Sequence, residues 1–180
     1  GDASVTQNAS AGVATFSGVL YTAASDADAN FTLTAAAAGL SDATSNSINP
    51  DVVATKLAFT TQPAPTSITS GASTAFSTIP VVKAQDANNL VDTDYTTNIV
   101  LSVVKSDGSS VPGTVNSLSG TGDTDGVNTT VTLAATSGAA TFTGLTAQYT
   151  NSAASDSLAL KATSGALTAA QSSTITSLTA

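Results

Sequence analysis

Aspartate is the residue through which this chain could do chemistry. Every one of the 12 acids in the 180-residue sequence is Asp, and three pairs have D-x-D spacing: Asp26/Asp28, Asp92/Asp94 and Asp123/Asp125. That spacing puts two carboxylates within reach of one hard cation, and calcium accepts oxygen ligands of this kind. The candidate calcium ligands are Asp92, Asp94, Asp123 and Asp125. The last two lie in Gly120-Thr121-Gly122-Asp123-Thr124-Asp125-Gly126, where glycine lets the backbone wrap tightly. Asp92 and Asp94 follow Asp86 at an apex expected to face the linker. The competing reading is a set of solvated loops in which Asp closes turns on its own backbone. Neither run has the distal Glu of an EF-hand, because the chain contains no Glu.

Other chemistries are excluded by composition. The sequence has no His, Cys, Met, Trp or Arg. A Ser-His-Asp triad, a thiol nucleophile and the usual zinc, haem and iron–sulfur sites therefore have no ligands or bases. Without Arg there is no bidentate phosphate clamp. The net charge of −8, with 4 Lys, opposes binding to nucleic acid, which needs clustered cations. A carboxylate pair for glycoside hydrolysis would need two Asp across an aromatic cleft, and aromatics make up 4% of the chain. Lys56, Lys83, Lys105 and Lys161 read as solvent-facing residues that blunt strand edges; a Lys–Asn isopeptide is the alternative chemistry open to them. The composition points to a structural or adhesive protein and away from an enzyme.

The elements that hold these residues must be built from small side chains. Ala, Thr and Ser number 33, 32 and 25, which is half the chain. Only 9% of residues are charged and mean hydropathy is +0.22, so the chain is not of the disordered type. No apolar run is long enough to span a membrane as a helix. The Thr/Ser/Ala/Asp bias without cysteine is that of bacterial and archaeal surface proteins, and an extracellular location is expected.

The sequence repeats itself. Residues 8–19, Asn-Ala-Ser-Ala-Gly-Val-Ala-Thr-Phe-Ser-Gly-Val, align with residues 134–145, Ala-Ala-Thr-Ser-Gly-Ala-Ala-Thr-Phe-Thr-Gly-Leu. Gly12, Phe16 and Gly18 recur 126 positions later. Tyr21 answers Tyr149, residues 31–35 answer 158–162, Gly39 answers Gly165, and Ile48 answers Ile175. A period this long suits an array of whole domains. The expected organisation is a partial unit over 1–50, holding C-terminal strands, and a complete unit over 51–180. Pro50 marks the junction and favours an extended Asn49.

Within 51–180 the pattern is one of strands and turns. Leu57–Thr60, Pro80–Gln85, Tyr95–Val104, Thr129–Leu133, Ala140–Gly144, Leu158–Ala162 and Ser173–Thr176 read as strands. Ser106-Asp107-Gly108-Ser109 reads as a hairpin turn. Alternation turns Phe59, Val82, Ile99, Leu101, Val131, Phe142, Leu158 and Leu160 inward. The expected fold is all-β, an antiparallel β-sandwich.

Three motifs give a resemblance. Residues 54–63 (Ala-Thr-Lys-Leu-Ala-Phe-Thr-Thr-Gln-Pro) resemble the opening of bacterial Ig-like repeats in large surface proteins. Residues 81–89 (Val-Val-Lys-Ala-Gln-Asp-Ala-Asn-Asn) resemble the V-x-V-Q-D-A-N-G-N turn of that family, related to invasin and intimin modules. Residues 138–145 (Gly-Ala-Ala-Thr-Phe-Thr-Gly-Leu) resemble its G-x-A-T-F-x-G-L strand. Asn89 stands where Gly is usual, and residues 105–128 form a longer connection than is common. The resemblance implies an Ig-like sandwich in an extracellular stalk or adhesin, without catalysis. Its partners would be neighbouring repeats or identical subunits, and cell-surface glycans or proteins. The alternative is a subunit of a fibre, sheath or surface layer joined by strand exchange. A glycan-binding module is a more distant one, since Tyr21, Tyr95 and Tyr149 are too scattered to form a sugar platform.

Overall fold

The computed structural model describes residues 3–180, which contain fourteen strands and no helix. They are β1 (Thr34–Ala35), β2 (Ala43–Thr44), β3 (Lys56–Thr61), β4 (Ser67–Thr69), β5 (Ser73–Ala75), β6 (Val81–Gln85) and β7 (Asn98–Lys105). There follow β8 (Thr114–Ser119), β9 (Thr130–Ala134), β10 (Ala139–Thr141), β11 (Thr146–Thr150), β12 (Ser155–Thr163), β13 (Ala170–Gln171) and β14 (Ile175–Leu178). One layer runs β4-β14-β12-β7-β9, with β13 beside β12. The other layer holds two three-stranded sheets, β10-β6-β3 and β5-β11-β8. All pairings are antiparallel except β4 with β14. The chain is an all-β protein, and strands β3–β14 form a β-sandwich.

Period-two alternation fills the core from both layers. Ile99 and Leu101 of β7, Val131 of β9, and Leu158 and Leu160 of β12 come from the first layer. Val82, Leu118, Phe142, Leu145 and Tyr149 come from the second, and all ten are buried in one cluster. The centre of the first layer is the β7–β12 ladder, from Leu158 opposite Lys105 to Thr163 opposite Val100. β12 is buried on consecutive residues from Leu158 to Leu160, so its pattern is only partly alternating.

Seven of the eight residues expected to face inward are buried. Phe59 is half-buried and packs against the edge of the core. It lies on the outermost strand of its sheet, where the register with β6 slips between Phe59 and Thr61. Tyr95 lies ahead of β7, and its hydroxyl sits 2.6 Å from Ser164 Oγ. The turn at Ser106–Ser109 forms, with Lys105 N donating to Ser109 O at 3.0 Å. It does not make a hairpin. β7 pairs with β9 and β12, whereas β8 crosses to the other layer and pairs with β11. The long connection over 105–128 therefore carries a strand that the sequence pattern hides, because Leu118 is its only buried side chain.

Parts of the 3–49 segment repeat local geometry of 129–178, although the counterparts of β9, β10, β11 and β14 do not form strands there. Ala11-Gly12 and Ser137-Gly138 both turn with positive φ, at 51° and 80° and at 48° and 72°. Each turn is closed by a bridge, Ser10 to Val13 and Thr136 to Ala139. β1 pairs with β2 as Thr34–Thr44 and Ala35–Ala43, and β12 pairs with β13 as Lys161–Gln171 and Ala162–Ala170. Phe31 bridges Ile48 as Leu158 pairs with Ile175. Leu33 N donates to Ser45 Oγ at 2.9 Å, and Leu160 N donates to Ser172 Oγ at 3.0 Å. These last three correspondences share a single offset of 127 residues.

Candidate functional site

The junction between 3–49 and 51–180 collects carboxylates. Asp26 reaches across it. Its Oδ1 accepts from Val52 N at 2.8 Å, and its Oδ2 accepts from Thr93 N at 2.7 Å and from the Thr93 hydroxyl. That hydroxyl, followed by the two amides, holds the Asp26 pKa below the ordinary carboxylate range. Asp92 is buried, and its Oδ2 accepts from Ala54 N at 2.8 Å. Its Oδ1 is buried without a partner. The neighbouring Asp94 has its pKa raised, first by the adjacent Asp92 carboxyl and then by the charges of Asp51 and Asp26. The junction thus combines one acid that ties the two segments together with two that crowd each other. The chain brings Asp26 and Asp51 to this place from positions that show no spacing relation to Asp92 and Asp94.

The Asp123/Asp125 pair sits in a different environment. Asp123 Oδ1 accepts from Thr132 N at 2.9 Å and from Asp125 N at 3.3 Å. Asp125 Oδ1 accepts from Val127 N at 2.7 Å, and its Oδ2 accepts from the hydroxyls of Thr130 and Thr132 at 2.8 and 2.6 Å. These bonds fasten the 120–126 loop to β9, and the Thr132 hydroxyl leads in holding the Asp125 pKa low. Asp86 acts similarly in its own turn, accepting from the amides of Asn88 and Leu90. Asn89 takes φ +69° there, the left-handed conformation that Gly would favour and Asn tolerates. Lys56 Nζ donates to Asn89 Oδ1 at 2.7 Å, at an exposed position. Among the described residues, no three acidic side chains are gathered so as to hold a metal ion.

The third feature is apolar. No residue from Ala3 to Asn49 is buried. Phe16 is 47% exposed and Phe142 0%; Tyr21 is 49% exposed and Tyr149 1%; Leu33 is 49% exposed and Leu160 1%. Val5, Val19 and Ile48 are exposed where Val131, Leu145 and Ile175 are buried. The apolar residues of 3–49 are thus exposed at positions whose aligned counterparts in 129–178 are buried. A shallow cleft bordered by Thr121, Thr124, Leu133, Thr136 and Thr141 offers hydroxyls and methyls, with no charged side chain in its lining.

No protein-family model matches this chain, and no curated protein matches it.

Proposed function

We propose that this chain is a non-catalytic structural module of an extracellular surface protein, in which Ig-like β-sandwich units follow one another as a stalk or adhesin. The carrying observation is the recurrence of strand register and hydrogen bonding between 3–49 and 129–178. In this reading 1–50 is the C-terminal part of one unit and 51–180 is a complete unit. The junction at Asp26, Val52 and Thr93 then fixes how successive units meet. The absence of His, Cys and Arg from the sequence supports a non-catalytic role. Calcium belongs to the proposal at Asp92 and Asp94, where a cation would satisfy the unpartnered Asp92 Oδ1 and relieve the Asp94 repulsion. Asp123 and Asp125 are weaker ligands in this reading, because most of their lone pairs are already used.

The test is small-angle scattering on chains carrying one, two and three copies of the 126-residue unit. Maximum dimension should grow by a constant increment per copy. A radius that grows only as for a compact globule would end the stalk reading. Electron microscopy of the 180-residue chain checks the fibre or surface-layer alternative, which requires filaments or lattices.

A further inference from the structure

The uncovered face of 3–49 has a known counterpart within the same molecule. In the 51–180 sandwich the equivalent strands pair edge to edge with strands of residues 52–128, and their apolar side chains pack in one cluster with Val82, Ile99, Leu101 and Leu118 of that segment. β10 pairs with β6, β11 with β5 and β8, β12 with β7, and β14 with β4. β9 pairs with β7, and its Val131 stands 126 positions after Val5. From these correspondences we infer that the 3–49 face is the docking surface for a second segment of the 52–128 kind, carried on the same polypeptide directly ahead of residue 3. This inference deepens the tandem reading and rests on it for the covalent placement.

In 129–178 two glycines sit where their neighbours leave no room for a Cβ. A Cβ on Gly138 would come within 2.1 Å of the Asp92 carbonyl oxygen, and one on Gly144 within 2.6 Å of Thr121 Oγ1. Gly12 and Gly18 keep the positive φ of their counterparts, yet a Cβ on either meets nothing within 4 Å.

Exchange of residues 3–180 between two copies would gain little. Residues 3–180 hold two C-terminal segments, 3–49 and 129–178, and one complement, 52–128. A copy that lent its complement would uncover its own Phe142, Tyr149 and Leu160. Exchange between identical chains leaves one bare face per chain, so it gains no net burial. A segment ahead of residue 3 gains the whole face.

The experiment joins a second copy of residues 52–128 ahead of Ala3 and follows amide hydrogen exchange residue by residue. In the 180-residue chain Leu33, Ser45 and Ile48 should exchange quickly at every concentration. In the extended chain they should slow by about a thousandfold or more, towards the values of Leu160, Ser172 and Ile175, because local opening is replaced by unfolding of a whole unit. Leu158 and Leu160 report in the same sample that the original sandwich is folded. Phe16→Asp or Gly12→Ala in the extended chain should return fast exchange to Leu33 and Ile48 alone. Unchanged exchange on extension, or indifference to both substitutions, would overturn the inference. Protection that appears in the 180-residue chain as its concentration rises would also overturn it, in favour of a second copy. Protected amides in a compact array would sustain this inference while ending the stalk reading; an elongated array with unprotected amides would do the reverse.

Discussion

The Tyr149 hydroxyl donates to Asp156 Oδ2 at 2.8 Å while accepting from Gly113 N at 2.7 Å, and this buried bond ties β11 to β12. The same pair stands 128 positions earlier, where Tyr21 donates to Asp28 Oδ2 at 2.7 Å in full view of solvent. Ser152 N and Ala24 N complete the two sites by donating to the same carboxylate oxygens. Tyr149→Phe leaves a half-buried amide and a buried carboxylate short of a partner. It should cost about 1–3 kcal/mol. Tyr21→Phe, with water at hand, should change stability by less than about 0.5 kcal/mol. Chemical denaturation of the two variants checks the contrast, and equal effects would contradict it.

The same pair sets opposite pH limits. Backbone and hydroxyl donors, Ser152 N foremost, hold the Asp156 pKa below its ordinary value. Its contribution is present above the unfolded value of about 4 and is lost as pH falls through the lower folded value. Burial, then the Asp156 bond, pushes Tyr149 up to about 12. That contribution is complete below the unfolded value of about 10 and is lost as pH rises towards 12. Melting temperature against pH should fall at both ends, and Tyr149→Phe should flatten the alkaline limb. An alkaline limb identical in wild type and variant would contradict this.

Phenylalanines at equivalent positions should differ as the tyrosines do. Phe142→Ala removes a fully buried ring and should cost about 3–5 kcal/mol. Phe16→Ala should be near neutral, within about 0.5 kcal/mol, because its ring has no cover. Thermal or urea unfolding of each variant provides the measurement.

Asp94→Asn should stabilise the protein at neutral pH. The Asp94 pKa is raised first by the hydrogen bond that its protonated form shares with the Asp92 carboxylate, then by repulsion from Asp92, Asp51 and Asp26. That cost is full above the folded pKa and disappears as pH falls through it, the reverse of the Asp156 case. Melting curves at pH 7 and pH 3 should show a gain that exists only at the former.

Calcium at millimolar concentration should raise the melting temperature by mass action on the folded state. The rise should vanish in Asp94→Asn and persist in Asp125→Asn. A melt that neither calcium nor EDTA moves would retire the metal from the proposal.

The fold was legible where alternation was strong. Ile99, Leu101 and Val131 mark β7 and β9, and Phe142 and Leu158 mark the opposing faces. β4, β5 and β8 were hidden because Ser and Thr supply most of their side chains, with Ile68 and Leu118 the only buried residues among them. The layer switch after β7 was hidden too, because the Asp107-Gly108 turn has the same local chemistry whether the next strand pairs or crosses. At the junction, D-x-D spacing drew attention to Asp92/Asp94 but not to Asp26 and Asp51. Those two arrive through tertiary contact with Thr93 and Val52, which leaves no local spacing signal. The uncovered face was legible only as a repeat, since exposure of Phe16 depends on what is packed against it.

Leu33 and Leu160 offer the most direct measurement of the central claim, that one face is bare and its counterpart covered. Each amide donates to a serine hydroxyl in the same local geometry. In the 180-residue chain at low concentration, Leu160 should exchange only through unfolding of the sandwich. Leu33 should exchange by local opening, faster by about a thousandfold or more. Equal protection of the two amides would contradict the claim.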